Sequence, residues 1–268
     1  MSSYKILSFL FFSIVLRLTP AYAQNDFCNT KNTSFKEGEK LIFKAYYNMS
    51  RIWIHAGNAE FSVAGEQLDN RKVYHITGTG KTQKSYEWFY KVNDVYESFI
   101  DEKTLLPHRF IRNVNEGGFR IYNNVTFNQN IGQAISTKGV YPVPKCIQDV
   151  LSAIYFARNI DYSKYQPGSK IPFKMFLDDQ VYDLYIRYVG KEDIETRYGK
   201  FHAIKITPML IEGTIFKGGE KMAVWVSDDA NHIPLRVDSP ILIGSIKVDL
   251  TGFENLRNEL TSLISKKK

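Results

Sequence analysis

Cysteine is nearly absent from this 268-residue chain, which has two, Cys28 and Cys146. That excludes cysteine-rich zinc modules, iron–sulfur clusters and dense disulfide scaffolds. Histidine is sparse too: His55, His75, His108, His202 and His232 lie at no recognised ligand spacing from each other, from cysteine or from an acid. No Gly-x-Ser-x-Gly elbow is present, and Gly244-Ser245 lacks both the second glycine and a helix after it. Gly78-Thr79-Gly80-Lys81-Thr82 fails the spacing of a phosphate loop and lies between strand patterns. The acidic pairs Asp178-Asp179 and Asp228-Asp229 fall at turns. Sequence does not carry the spatial separation that glycosidase acids need. These gaps leave no catalytic residue, metal ligand or cofactor site to name.

Long apolar runs are also missing, apart from a short one at the start. Lys5 supplies a basic n-region, Ile6 to Leu16 an apolar stretch broken by two serines, and Ala21-Tyr22-Ala23 a small-x-small cleavage pattern. The stretch is about 11 residues, too short for a hydrocarbon core of roughly 30 Å. Residues 1–23 are therefore expected to be a signal peptide, with the processed chain starting at Gln24 in the periplasm or associated with the outer envelope. Asn25-Asp26-Phe27 before Cys28 is no lipobox, so Cys28 is not a lipidation site. An oxidising compartment favours a Cys28–Cys146 disulfide over two free thiols. Closing so long a loop allows roughly 4–5 kcal/mol in the entropy model.

Charge excess is small. The formal net charge is +7, from 35 basic and 28 acidic residues. Lys5 and Arg17 belong to the leader, and Lys266, Lys267 and Lys268 form a terminal tail. The body is close to neutral, which argues against nucleic acid as a partner. Three lysines alone would tether the chain to anionic lipid only weakly.

What is abundant is aromatic: 17 Tyr and 18 Phe. Such residues favour a pleated, half-buried surface. Tyr182, Leu184, Ile186 and Tyr188 alternate with Asp183, Tyr185 and Arg187, the period of a strand. Residues 41–47, 59–63, 73–77 and 222–226 also read as strands. Turn chemistry at Leu68-Asp69-Asn70, Asn115-Glu116-Gly117-Gly118 and Lys217-Gly218-Gly219 separates them into hairpins. One segment differs. After Pro142 and Pro144, the residues Ile147, Val150, Leu151, Ile154 and Tyr155 recur on one helical face. Leu256, Leu260, Leu263 and Ile264 give a weaker helical pattern near the end.

The two sides of the central helix look related. Gly38-Glu39-Lys40-Leu41-Ile42-Phe43-Lys44 parallels Gly168-Ser169-Lys170-Ile171-Pro172-Phe173-Lys174. An Asp-x5-Pro-x-Arg pattern occurs as Asp101, Pro107 and Arg109, then as Asp228, Pro234 and Arg236. The aspartates are expected to bond their own turn backbone and the prolines to open the next strand. Arg109 and Arg236 could alternatively grip an anionic group. The densest aromatic stretch contains Trp88, Phe89 and Tyr96. It reads either as ordinary cross-strand packing or as the lining of an apolar groove.

Gly38-Glu39-x-Leu41-x-Phe43, Ala56-Gly57-x-Ala59 and Asp149-x-Leu151-Ser152-Ala153-x-Tyr155-x-x-Arg158 together resemble a family of exported bacterial proteins known only as a domain of unknown function. The resemblance runs over nearly the whole chain after the leader and implies no transferable activity. Leu105-Leu106-Pro107-His108-Arg109 is more loosely similar to periplasmic lipoprotein carriers, whose open antiparallel half-barrels shelter acyl chains. That is analogy of fold alone.

The expected architecture is mainly β: antiparallel curved sheets or half-barrels, an internal duplication, and one central amphipathic helix. The expected segments are 24–145 for the first β half, 146–160 for the linking helix, 161–255 for the second half and 256–268 for a polar tail that carries the weaker helical pattern. The first functional reading is a noncatalytic binder of an apolar ligand, such as lipid or a lipoprotein acyl chain, in a cavity lined by Trp88, Phe89 and Tyr96. The alternative is an interaction module in envelope assembly, with a filled interior and an exposed apolar patch or free sheet edge. A hydrolase is the third.

Overall fold

The computed structural model describes residues 28, 30–49, 52–211, 218–241 and 244–267. The expected signal peptide and its cleavage site lie outside the described residues. The chain is a meander. The first eight strands are β1 (Lys40–Met49), β2 (Ile52–Leu68), β3 (Arg71–Thr82), β4 (Asn93–Asp101), β5 (Pro107–Glu116), β6 (Phe119–Asn128), β7 (Gln133–Ser136) and β8 (Gly139–Pro142). Helix α1 (Val150–Ala157) follows. Then come β9 (Lys170–Leu177), β10 (Gln180–Glu195), β11 (Gly199–Pro208), β12 (Ala223–Ser227), β13 (Pro234–Pro240), β14 (Ser245–Glu254) and β15 (Leu263–Lys266).

The turns explain the meander. Asp69 and Asn70 take φ of +48° and +63° between β2 and β3. Asp178 and Asp179 do the same between β9 and β10, at +50° and +62°. Paired positive φ angles are those of primed turns, whose twist matches two antiparallel strands. All strands join one antiparallel sheet in the order β8-β7-β6-β5-β4-β3-β2-β1-β14-β13-β12-β11-β10-β9, with β15 added beside β11. Strand β14 pairs with β1, so the two sides of the helix share one continuous sheet.

The sheet stays open but curls on itself. On a flat sheet β6 and β9 would stand roughly 50 Å apart at the usual strand spacing. Instead the Phe127 and Phe176 rings meet edge to face, centroids 6.0 Å apart. Residues 143–148 strap the gap. Val143 N–H donates to the Gly132 carbonyl, Gln148 N–H to that of Lys174, and Phe176 N–H to that of Gln148. Ion pairs Arg112–Asp178 and Lys138–Asp179 cross the same seam. Cys28 and Cys146 are joined in a disulfide that ties the N-terminal arm to this strap.

Helix α1 fills the concave side. Leu151, Tyr155 and Phe156 pack against Val63, Ile76 and Ile100 on one side and against β9–β12 on the other. Its start is a capping box. The Asp149 carboxylate accepts from Ser152 N–H at 2.8 Å, and the Ser152 hydroxyl accepts from Asp149 N–H at 2.8 Å. The helix is shorter than the expected 146–160, because Gln148 is held in a bridge to Met175 and Cys146 takes φ of +62°.

The motif residues meet here. Glu39 and Arg158, 1% and 2% exposed, form a two-pronged ion pair at 2.6 and 2.8 Å. Arg158 also donates to the carbonyls of Asn231 and Ser34. Leu41 and Phe43 enter a second core with Phe201, Ile233 and Leu235. Gly57 is required by close approach, since a Cβ there would sit 2.6 Å from the Lys81 carbonyl oxygen. The residues that carry the family resemblance are thus residues that hold the curl together.

Two expectations change. Residues 256–267 contain no helix: β15 pairs with β11, and Leu263 packs on the second core from that strand, while Leu256 and Leu260 reach the same core from an irregular path. Spacing of four suits a helix, but a folded-back segment can hook the same side chains into one core. In the second Asp-x5-Pro-x-Arg unit, the turn carboxylate is Asp229 rather than Asp228. Asp229 accepts from Asn231 N–H and from the Ser227 and Ser262 hydroxyls, whereas Asp228 pairs with Lys191. Asp101 does cap its own turn, accepting from the N–H groups of Lys103 and Thr104.

Candidate functional site: an aromatic rim

Antiparallel pairing brings the β1–β2 tip, residues 83–92 and the β5–β6 turn to the same end of the sheet. Residues 84–91 are all exposed. Trp88 is 82% and Phe89 64% exposed, with Tyr86 and Tyr90 beside them. Ile52 and Phe119 extend the apolar rim on either side. Single exposed apolar side chains are ordinary, whereas several gathered at one end of a sheet make a candidate contact surface.

The loop is held firmly. A short 3-10 turn spans Lys84–Tyr86. Phe89 and Tyr90 N–H both donate to the Tyr86 carbonyl, at 3.0 and 3.1 Å. The Thr82 hydroxyl donates to the Tyr90 carbonyl at 3.1 Å and accepts from Val92 N–H at 2.8 Å. Gln83 N–H donates to the Ala56 carbonyl, and the Gln83 amide reaches His55 Nδ1 at 2.8 Å. The Tyr90 ring lies on Gly117, where an added Cβ would sit 2.5 Å from it. Partial burial, with Glu116 and Asp94 nearby, holds the Tyr90 phenol above its ordinary value. The result is a built hump with Trp88 and Phe89 at its crest, rings edge to face at 6.0 Å.

Two clefts are lined mostly by polar side chains, and the first adjoins the 84–91 loop. One, of about 460 Å³, is lined by Lys81, Lys84, Lys91, Asn58, Asn93 and Glu87 among others. The other, of about 290 Å³, includes Tyr46, Trp53, Arg197, Arg236 and Lys247. There Arg197 lies over the Tyr46 ring and Lys247 over Trp53, so cations cover the aromatic faces.

A family model described as a protein of unknown function, DUF3108, matches residues 43–251. The chain belongs to the DUF3108 family. No curated protein matches it. Among solved structures, this DUF3108 chain is similar to a β-barrel-like protein of domain of unknown function DUF1849 from Brucella abortus. The TM-score is 0.55 at 8% identity, over 83% of this chain and 99% of that one. It is also similar to a protein with a YmcC-like fold from Bacteroides fragilis, at TM-score 0.32 and 11% identity, over 85% of this chain and 99% of that one. The first likeness shows a barrel-like fold and nothing about activity.

In the DUF3108 chain, the expected ligand-lining residues do not share a cavity. Trp88 and Phe89 face outward on the rim, whereas Tyr96 points to the concave side and packs near Phe110. Burial first, then Asp94, pushes the Tyr96 phenol up to about 12. The three are close in sequence, but a loop crest separates the first two from the strand that carries the third. Arg109 and Arg236 do not converge either. Arg109 donates to the Asn124 side chain at 3.1 Å, and Arg236 pairs with Asp249 at 2.6 and 2.9 Å. They lie on β5 and β13, far apart along the sheet.

His75 and His202 sit in outward polar clusters: His75 between Glu66 and Glu97, His202 beside Asp193. Among the described residues, no group of three or more His, Cys, Asp and Glu side chains is placed to hold a metal ion. Among the same residues, no helix is long and apolar enough to cross a membrane. Sequence reasoning missed Lys81, Lys84 and Lys91 as site residues. The available signal was the mixing of lysine with aromatics over 81–91, where the aromatics read as cross-strand packing or as the lining of an apolar groove.

Proposed function

We propose that this DUF3108 protein is exported, is noncatalytic, and acts in the cell envelope as an interaction module through its aromatic rim. The observation that carries the reading is the firmly held Trp88–Phe89 crest, exposed on a molecule whose concave side is occupied by α1. A carrier of acyl chains needs room inside the curl, and Leu151, Tyr155 and Phe156 take that room. The leader pattern and the disulfide support export.

Photo-crosslinking tests the rim. With a photoreactive phenylalanine at position 88 or 89, adducts to an envelope component are expected. None is expected from position 103, in the exposed β4–β5 turn at the opposite rim. Equal patterns from both rims would refute the assignment. Export is checked by fractionation and N-terminal sequencing, with a start at Gln24 expected. A cytoplasmic chain retaining Met1 to Ala23 would overturn that half.

A further inference from the structure

The hump has a basic flank. The 460 Å³ cleft behind it is lined by three lysines and one glutamate. Glu87 engages Lys91 at 3.6 Å. Among the described residues, Lys81 and Lys84 have no carboxylate partner. Two ammonium groups therefore stand uncompensated beside the most exposed aromatic pair on this rim.

We infer that the rim docks on an anionic phospholipid bilayer, with Trp88 and Phe89 entering the interfacial zone and Lys81 and Lys84 meeting lipid phosphates at the cleft. This rests on the rim reading above and names its occupant. Three features favour a bilayer over a protein. Lysine is depleted from the centre of protein interfaces, but here it is interleaved with the aromatics. Tryptophan and tyrosine suit the boundary between headgroup and acyl chain, where one part of the ring system is dry and its polar handle wet. Tyr86 and Tyr90, both partly exposed, flank the Trp88–Phe89 pair in the chain. Finally, the loop is already ordered by its own hydrogen bonds, so insertion requires little further loss of conformational freedom. Ile52 and Phe119 widen the contact along the same rim.

The chain has three tryptophans, so Trp53→Phe with Trp225→Phe leaves Trp88 as the sole reporter. This protein is titrated with vesicles of phosphatidylglycerol and phosphatidylethanolamine, and separately with phosphatidylcholine alone. A blue shift of Trp88 emission and quenching by brominated acyl chains are expected with the anionic vesicles. In co-sedimentation, Trp88→Ala with Phe89→Ala is expected to lower partitioning at least about tenfold, from the lost burial of two aromatic side chains. Lys81→Glu or Lys84→Glu is expected to lower it about fivefold or more, and raised salt to weaken it. All four positions are exposed or at the rim, and circular dichroism confirms that the variants fold. Unchanged Trp88 emission with anionic vesicles overturns the inference, as does equal binding to phosphatidylcholine. If vesicles fail while position 88 still crosslinks one envelope protein, the bilayer is wrong and the rim reading stands. If neither occurs, both fall.

Discussion

Removing one partner of the Glu39–Arg158 pair should be among the most damaging single changes available. Both side chains are almost wholly buried, and the pair joins the N-terminal arm before β1 to the end of α1. Burial acts against the Arg158 cation, and Glu39 beside it more than offsets that, raising its pKa above the arginine norm. In Arg158→Met the Glu39 carboxylate stays buried without its partner. The carbonyls of Asn231 and Ser34 also lose a donor. Breaking a buried pair from one side costs about 3–5 kcal/mol. Against a total stability of about 5–15 kcal/mol, that is a large fraction. The charge-free double variant Glu39→Leu with Arg158→Met should cost markedly less than the sum of the singles, with a coupling of about 2 kcal/mol or more. Urea unfolding of the oxidised protein, followed by circular dichroism, measures all three. A cost below about 1 kcal/mol for Arg158→Met, or additivity of the singles, would refute the reasoning.

Two further expectations concern the helix start and the arm. Full burial raises the Asp149 carboxyl from 3.8 to about 6, against the lowering effect of its bonds from Ser152 and Ser98. Its native value exceeds its unfolded one, so stability from this group is present at low pH and lost as pH rises through about 6. Relative to wild type, Asp149→Asn should therefore gain up to about 3 kcal/mol between pH 4 and pH 7; a difference that does not change with pH would contradict this. Cys28→Ser with Cys146→Ser should lower stability by up to about 4–5 kcal/mol, the cost of leaving a 118-residue separation unclosed in the unfolded chain. Thermal unfolding tests this, and a variant as stable as the oxidised parent would show that the bridge constrains nothing.

The amino-acid sequence by itself determined the local geometry. Alternation in β10, the Asp-Asn and Gly-Gly turns, and the Asp149–Ser152 start of α1 are short-range signals. Each depends on the dihedral and hydrogen-bond preferences of a few neighbouring residues. The β nature of the chain and its antiparallel pairing follow from them. The tail misled because Leu256, Leu260 and Leu263 have a helical spacing, and period alone does not say which core a side chain will find.

Tertiary structure decided the rest. Only the curl brings Phe176 to Phe127 and Glu39 to Arg158, because such contacts join residues far apart in the chain. Only the finished sheet turns one aromatic cluster into two kinds of residue. Tyr96 faces inward because its strand alternates, while Trp88 and Phe89 face outward because they ride the crest of a connection. Burial is a property of what arrives on the other side of a residue, and no local pattern specifies that arrival.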